Sequence, residues 1–188
     1  MTSSPTAEAL TYNVAGLLAE PAGSSRTYAL SGVILDLGPG LEQSDPVEGS
    51  IRIARTNRGL LVTGRLTTSL AESCSRCLRE IEVRLSFAIE DEVLPGIDLT
   101  TGLPADATSE PDVARLNDHH ELELEPLIRE AIQLAEQIAP LCRPDCPGLC
   151  ISCGRELTEG SHDHGDESID PRLEALRAFR VDGDVETE

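Results

Sequence analysis

Six cysteines and two histidines form four close pairs along the chain. The pairs are Cys74 and Cys77, Cys142 and Cys146, Cys150 and Cys153, and His162 and His164. Zinc prefers four thiolate or imidazole ligands in a tetrahedron, and two cysteines around a turn supply half of such a site. The chain therefore carries enough ligands for two structural zinc sites. A metal ion that joined the first pair to the second would connect segments separated by 64 residues.

The spacing leaves two ways to group these ligands. In the first grouping, one zinc ion binds Cys74, Cys77, Cys142 and Cys146, and another binds Cys150, Cys153, His162 and His164. In the second, Cys74, Cys77, Cys150 and Cys153 form a ribbon-like site, and the other four residues are not ligands. We favour the first grouping because every pair then has a role. The histidines are the weaker ligands, since SHDHGDES at 161–168 also resembles an ordinary solvated acidic loop.

Three enzymatic interpretations of these residues are weak. A thioredoxin-like pair opens a helix after a buried strand, whereas these pairs fall between strands or among prolines and glycines. A zinc deaminase needs H-x-E and P-C-x-x-C motifs, and neither occurs. The run from His162 to Asp166 resembles the metal-binding motif of metallo-β-lactamase-like hydrolases, but no histidine follows His164. We therefore expect no catalytic residues, no small-molecule substrate and no enzymatic activity.

The charge distribution points to two kinds of partner. The formal net charge is -19, and all 15 basic residues are arginine. Residues 51–85 are nevertheless basic, with seven arginines against three acids, so this segment is +4 and the remainder is -23. The basic segment could bind phosphate groups, and the acidic remainder could bind a basic protein. The arginines could equally be the solvated face of a sheet. The candidate nucleic-acid-binding residues are Arg52, Arg55, Arg58, Arg65, Arg76, Arg79 and Arg84.

Hydrophobic periodicity places these residues on secondary structure. Between Tyr28 and Leu94 apolar residues alternate with polar ones, which predicts half-buried antiparallel strands. Cys74–Leu78 falls at a hairpin tip between two of them. Residues 126–139 carry a broad apolar stripe that predicts a helix over the sheet. We predict an α+β fold: an antiparallel, partly barrel-like sheet covered by one main helix, with a zinc-stabilised C-terminal knuckle.

The same patterns divide the chain into three parts. Residues 1–25 predict a loose N-terminal arm with a helical turn. Residues 26–140 form the β-rich domain with its covering helix, and 95–120 are a flexible insertion rich in proline, glycine and aspartate. Residues 141–188 form the cysteine-rich knuckle, a short helix and an acidic tail. The first residues contain neither a basic region nor an apolar run, which predicts a cytoplasmic protein without membrane contact. Reducing conditions there favour metal ligation over disulfides.

Four segments resemble the YceD family of bacterial proteins, also called large ribosomal RNA subunit accumulation proteins. They are CSRCLREIEVRLSF at 74–87, LELEPLIREAIQLAEQIAPLC at 122–142, DCPGLCISCG at 145–154 and IDPRLEAL at 169–176. The family's common cysteine pair corresponds to Cys74 and Cys77. Some relatives lack the later C-x-x-C, which supports grouping the first pair with Cys142 and Cys146. Others carry cysteine at the position of His162.

The resemblance implies a role in the synthesis, processing or stability of 23S rRNA, and hence in large-subunit assembly. Our first hypothesis is a non-enzymatic ribosome-biogenesis factor that acts on 23S rRNA or a large-subunit precursor and contains one or two structural Zn²⁺ ions. The alternative is an acidic chaperone for a basic ribosomal protein without direct RNA contact. A weaker alternative is a redox or zinc-handling protein.

Overall fold

The computed structural model describes residues 10–98, 101–105, 108, 110–157, 164 and 172. The chain divides between Cys146 and Pro147 into two compact units. The first unit contains the sheet and the main helix, and the second begins with the turn that carries Cys150 and Cys153. His162, the helix predicted after Asp170 and the acidic tail lie outside the described residues.

The described part of the first unit contains strands and two helices in the following order. They are β1 (Thr11–Asn13), α1 (Ala15–Leu18), β2 (Ser25–Val33), β3 (Glu42–Arg55), β4 (Leu60–Ser73), β5 (Glu80–Leu94), β6 (Ala114–Arg115), β7 (Glu121–Glu123) and α2 (Glu125–Ala135).

The main sheet has the strand order β2-β3-β4-β5-β6. All neighbours are antiparallel except the short β6, which lies parallel to β5. The order is linear, with β2 and β6 at the two edges, so the sheet is open. The predicted α+β class and antiparallel sheet are confirmed, but the sheet does not close into a barrel.

The alternation of residues along each strand decides which face is buried. On β4, Leu60, Val62, Leu66 and Leu70 are at most 1% exposed, whereas Arg65 between them is exposed. Because successive side chains of a strand point to opposite faces, one face of the sheet is apolar and the other is polar. The core is almost entirely aliphatic, as the composition predicts, with Phe87 its buried aromatic residue among those described.

Helix α2 covers the apolar face through Leu127, Ile128 and Ile132, which are buried. It ends at Ala135, four residues earlier than predicted, and Ile138 is fully exposed. The helix ends because Glu136 takes up extended backbone angles, φ -55° and ψ 138°. The chain then turns, and the carbonyl of Pro140 accepts a hydrogen bond from the Ser75 amide at 2.8 Å.

The N-terminal segment differs from the loose arm that we expected. Leu10, Val14 and Leu17 are each 1% exposed and belong to the main core. Strand β1 pairs with β7 in a separate two-stranded sheet. The described residues from 10 to 18 therefore fill part of the space beneath the main sheet.

The described residues of the segment 95–120 contribute to the sheet. Ile97 and Pro104 form an isolated bridge, and β6 pairs with the end of β5. Leu116, directly after β6, is 3% exposed. This end of the insertion is therefore anchored in the core.

Candidate metal centre and basic sheet face

The connection between β4 and β5 forms a tight turn around Cys74 and Cys77. The Cys74 amide donates to the carbonyl of Arg79 at 2.8 Å, and the Leu78 amide donates to the carbonyl of Cys74 at 2.9 Å. Leu78 has φ +59°, a left-handed conformation that is uncommon for a residue with a side chain. The turn thereby directs both sulfurs to one side of the hairpin tip.

The segment after α2 presents the second pair of cysteines to this tip. The hydrogen bond from Ser75 to Pro140 joins the two segments, and the Arg76 guanidinium donates to the carbonyl of Cys146 at 2.8 Å. Cys74, Cys77 and Cys146 are buried, and Cys142 is half-buried. Four thiols from two distant parts of the sequence thus meet in a site largely protected from water.

The spacing of the four sulfurs fits one tetrahedral metal ion. All four Sγ atoms lie within 4.8 Å of one another. The Sγ–Sγ distance is 3.8 Å between Cys74 and Cys146, and 3.7 Å between Cys77 and Cys142. A zinc ion with four bonds of about 2.3 Å requires sulfurs about 3.8 Å apart, whereas a disulfide bond is about 2.05 Å long. This cluster corresponds to the first of the two groupings considered above.

The pKa values of the thiols also indicate a site suited to a cation. Hydrogen bonds from the backbone amides of Cys142, Cys77 and Arg76 lower the pKa of Cys74 to about 6. Burial, followed by the neighbouring thiols, raises the pKa of Cys142 to about 12. For Cys77, a hydrogen bond from the Arg79 backbone lowers the pKa, but burial and the adjacent thiols outweigh it and the pKa is raised. Four adjacent thiolates repel one another, and a divalent cation would offset that repulsion.

The second unit contains a smaller cluster of Cys150, Cys153 and His164. Their ligand atoms also lie within 4.8 Å of one another, but Cys150 is half-buried and Cys153 is exposed. The distance from Cys150 Sγ to His164 Nε2 is 3.0 Å. Two ligands of one zinc ion at about 2.3 Å and 2.05 Å would lie about 3.5 Å apart, so this contact has the length of a hydrogen bond. The predicted fourth ligand, His162, lies outside the described residues.

The two cysteine turns share one backbone structure. The Cys150 amide donates to Arg155 and the Gly154 amide to Cys150, each at 2.8 Å, and Gly154 has φ +71°. These contacts repeat those of the first turn, with Gly154 in the position of Leu78. Our sequence analysis missed this repeat, although CSRCLR at 74–79 and CISCGR at 150–155 carry the same C-x-x-C-x-Arg pattern.

The seven arginines of the basic segment do not form one patch. Arg55 donates to the carbonyl of Leu18 in α1 and to two carbonyls of the β3–β4 turn. Arg58 in that turn pairs with Glu110. Arg76 and Arg79 lie at the other end of β4, in the first cysteine turn. Because β4 has 14 residues, the two ends are about 40 Å apart.

The other three arginines project from the exposed face of the sheet. The side chains of Arg52, Arg65 and Arg84 form no hydrogen bond or ion pair with any described residue. Arg65 lies between Ser50 of β3 and Ala88 of β5, and Arg52 lies opposite Thr63. These small neighbours leave the guanidinium groups accessible. Acidic residues flank the same face, with Glu90 opposite Thr63. We call Arg52, Arg65 and Arg84 the arginine face.

Neither described helix combines the length and apolar character of a bilayer-spanning helix.

Comparisons with known proteins agree with the resemblance of the cysteine-bearing segments. Residues 62–180 match the family described as large ribosomal RNA subunit accumulation protein YceD. Uncharacterized proteins Rv2926c of Mycobacterium tuberculosis and Mb2951c of Mycobacterium bovis are each 35% identical over 137 residues, 72% of this chain and 63% of theirs. Uncharacterized protein ML1660 of Mycobacterium leprae is 30% identical over 70% of this chain and 58% of its own. The match thus spans less than two thirds of these relatives. No solved structure matches. The chain belongs to the YceD family.

Proposed function

We propose that this chain is a non-enzymatic ribosome-biogenesis factor that supports 23S rRNA accumulation and large-subunit assembly in the cytoplasm. Membership of the YceD family supports the general role. The observation that carries a direct contact with RNA is the arginine face, because its three cations have no acidic partner among the described residues.

We infer that Cys74, Cys77, Cys142 and Cys146 bind one structural Zn²⁺ ion. Thiolates select zinc over harder cations such as magnesium or calcium. Four thiolates complete the tetrahedron and leave no open position for a substrate or an activated water, so a structural role fits better than a catalytic one. Cys150, Cys153 and His164, together with His162, are the candidate ligands of a second ion.

The arginine face suits contacts with phosphate better than recognition of bases. The chain has only two tyrosines and two phenylalanines and no tryptophan, so few side chains are available to stack on unpaired bases. Arginine contacts to phosphate orient a nucleic acid without reading its sequence, and they weaken as salt concentration rises. The net charge of -19 repels RNA from the rest of the surface. We therefore expect one preferred face of contact.

The test is RNA crosslinking in cells that express Arg52→Glu/Arg65→Glu/Arg84→Glu. We expect this variant to lose crosslinks to 23S rRNA, and we expect the three corresponding lysine substitutions to retain most of them because the charge is kept. The matched control replaces three exposed arginines outside the basic segment, Arg26, Arg143 and Arg155, with glutamate.

The control separates the arginine face from net charge, since both triple variants change the charge by the same amount. Equal loss of crosslinks in the two triple variants would show that only net charge matters. Unchanged crosslinking in the arginine-face variant would contradict the proposed RNA contact. Recovery of a basic ribosomal protein after RNase treatment, without RNA crosslinks, would favour the chaperone hypothesis.

A further inference from the structure

One long edge of the main sheet is open. Strand β5 pairs with β4 from Glu80 to Val93, but on its other side only Val93 and Leu94 pair with β6. In the ranges that the structure describes, no strand pairs with residues 80–92 on that side. An open edge presents unpaired N–H and C=O groups that can bind another extended chain.

An apolar groove of about 450 Å³ runs between this edge and α2. On the strand side it is lined by five consecutive residues, 87–91. Since consecutive residues point to opposite faces of a sheet, a groove that touches all five opens onto the strand's edge. On the helix side a stripe at helical spacing completes it, consisting of Leu127, Glu130, Ala131, Leu134 and Ala135. Leu134 is 80% exposed, so this apolar wall is accessible.

The rim of the groove is acidic. Glu90 and Asp91 line it from β5, and Glu130 lines it from α2. Burial, and then the charge of Glu130, raise the pKa of Asp91, which indicates that these carboxylates destabilise one another. A cation between them would relieve the repulsion.

The charges on β5 also limit what can occupy its edge. The strand carries five acids, Glu80, Glu82, Glu90, Asp91 and Glu92, against the single cation Arg84. The same edge of a second copy would bring like charges face to face, which is unfavourable across a strand pair. A strand with lysine or arginine beside apolar residues has the complementary charge.

We propose that the open edge of β5 binds an extended basic segment of a partner protein. The segment adds to the sheet as a further strand, inserts an apolar side chain against Ala131 and Leu134, and places a basic side chain between Asp91 and Glu130. Backbone hydrogen bonds supply affinity in this mode of binding, and side-chain pockets supply selectivity. The site lies on the edge of the sheet and not on the arginine face, so it does not depend on the proposed RNA contact.

The test uses the full chain and two synthetic peptides, one of alternating lysine and valine and one of alternating glutamate and valine. We expect the lysine peptide to bind at least tenfold more tightly in fluorescence anisotropy. We also expect it to slow hydrogen exchange of the amides in residues 80–92.

Variants of the acidic rim provide the controls. Asp91→Lys/Glu130→Lys should reverse the preference between the two peptides. Asp91→Asn/Glu130→Gln, which keeps the side-chain sizes, should weaken binding of the lysine peptide. Charge-matched changes at Glu42 and Glu48 on β3 should leave binding unchanged. Arg52→Glu/Arg65→Glu, on β3 and β4, should also preserve peptide binding, which separates this proposal from the RNA contact.

Equal affinity for both peptides, or binding without protection of residues 80–92, would overturn the proposal. Unchanged affinity in both rim variants would do the same. Protection of these amides by RNA in place of the lysine peptide would assign the edge to a different class of partner and would likewise overturn it.

Discussion

Removal of the metal from the four-cysteine site should destabilise the first unit by a predictable amount. A metal ion that joins Cys77 to Cys142 closes a loop of 64 residues. If the ion acts as a crosslink, the loss of chain entropy in the unfolded state contributes about 4 kcal/mol of stability for a loop of this length. For a chain of 188 residues, each kcal/mol corresponds to about 2–4 °C in Tm. Chelation should therefore lower Tm by about 8–16 °C.

The assay is scanning calorimetry of reduced protein with equimolar zinc and with excess chelator, combined with metal analysis. Hydrogen exchange locates the effect, which should be largest at Ser75 and Leu78, whose amide hydrogen bonds stabilise the turn. Cys142→Ser should produce a smaller fall in the same direction, because three thiolates still bind the ion weakly. Cys153→Ser, which alters the cluster in the second unit, is the matched control and should leave these two amides unchanged.

Two results would refute this reasoning. If metal analysis finds no ion in the reduced protein, the four cysteines are not a metal site. Metal-loaded protein whose Tm changes by less than 2 °C on chelation would show that the ion does not crosslink the two segments.

Three further predictions concern the sheet and its helix, and thermal unfolding checks each. Gly59→Ala should cost about 1–3 kcal/mol because a Cβ there collides with the carbonyl oxygen of Val93. Ile132→Ala, at a fully buried position, should cost about 2–5 kcal/mol, whereas Leu134→Ala on the same helix should change stability by no more than about 0.5 kcal/mol. Asp91→Asn should stabilise the protein at pH 7. Its native pKa is raised above the ordinary value of 3.8, so ionisation costs stability, and the full cost is reached above the native pKa. The advantage of asparagine should shrink as the pH falls from the native pKa to the ordinary value.

The sequence was sufficient to predict the strands and to favour the group of Cys74, Cys77, Cys142 and Cys146 over the alternative. Alternation along β4 and β5 identifies the buried face residue by residue, because a pleated strand has a fixed period of two. Two cysteines separated by two or three residues predict a turn at their position. The family resemblance added that Cys74 and Cys77 belong with the pair after the helix, a choice that the spacing alone left open.

Other features depend on contacts between residues far apart in the sequence. The short apolar cluster at Val14 and Leu17 shows helical spacing, but nothing local shows that it enters the core. Helix α2 ends at Ala135, where Glu136 takes up extended backbone angles although the apolar stripe continues beyond it. The arginines of residues 51–85 are adjacent in sequence, yet a hairpin with long strands distributes them between two ends and one face. The charge content of the sequence therefore identified a basic segment, but it did not predict which arginines share one surface.

The four-cysteine site also sets how the protein responds to mechanical force. With an ion bound, a pull on the two chain ends passes through the metal–sulfur bonds, and the 64 residues between Cys77 and Cys142 carry no tension. Strand β5, helix α2 and the groove between them lie within this shielded stretch. Rupture of the site, followed by unfolding of the residues between its two halves, would release about 22 nm of extended chain. The metal–sulfur bonds would thus carry a load applied at the chain ends, and the groove between β5 and α2 would not be stretched.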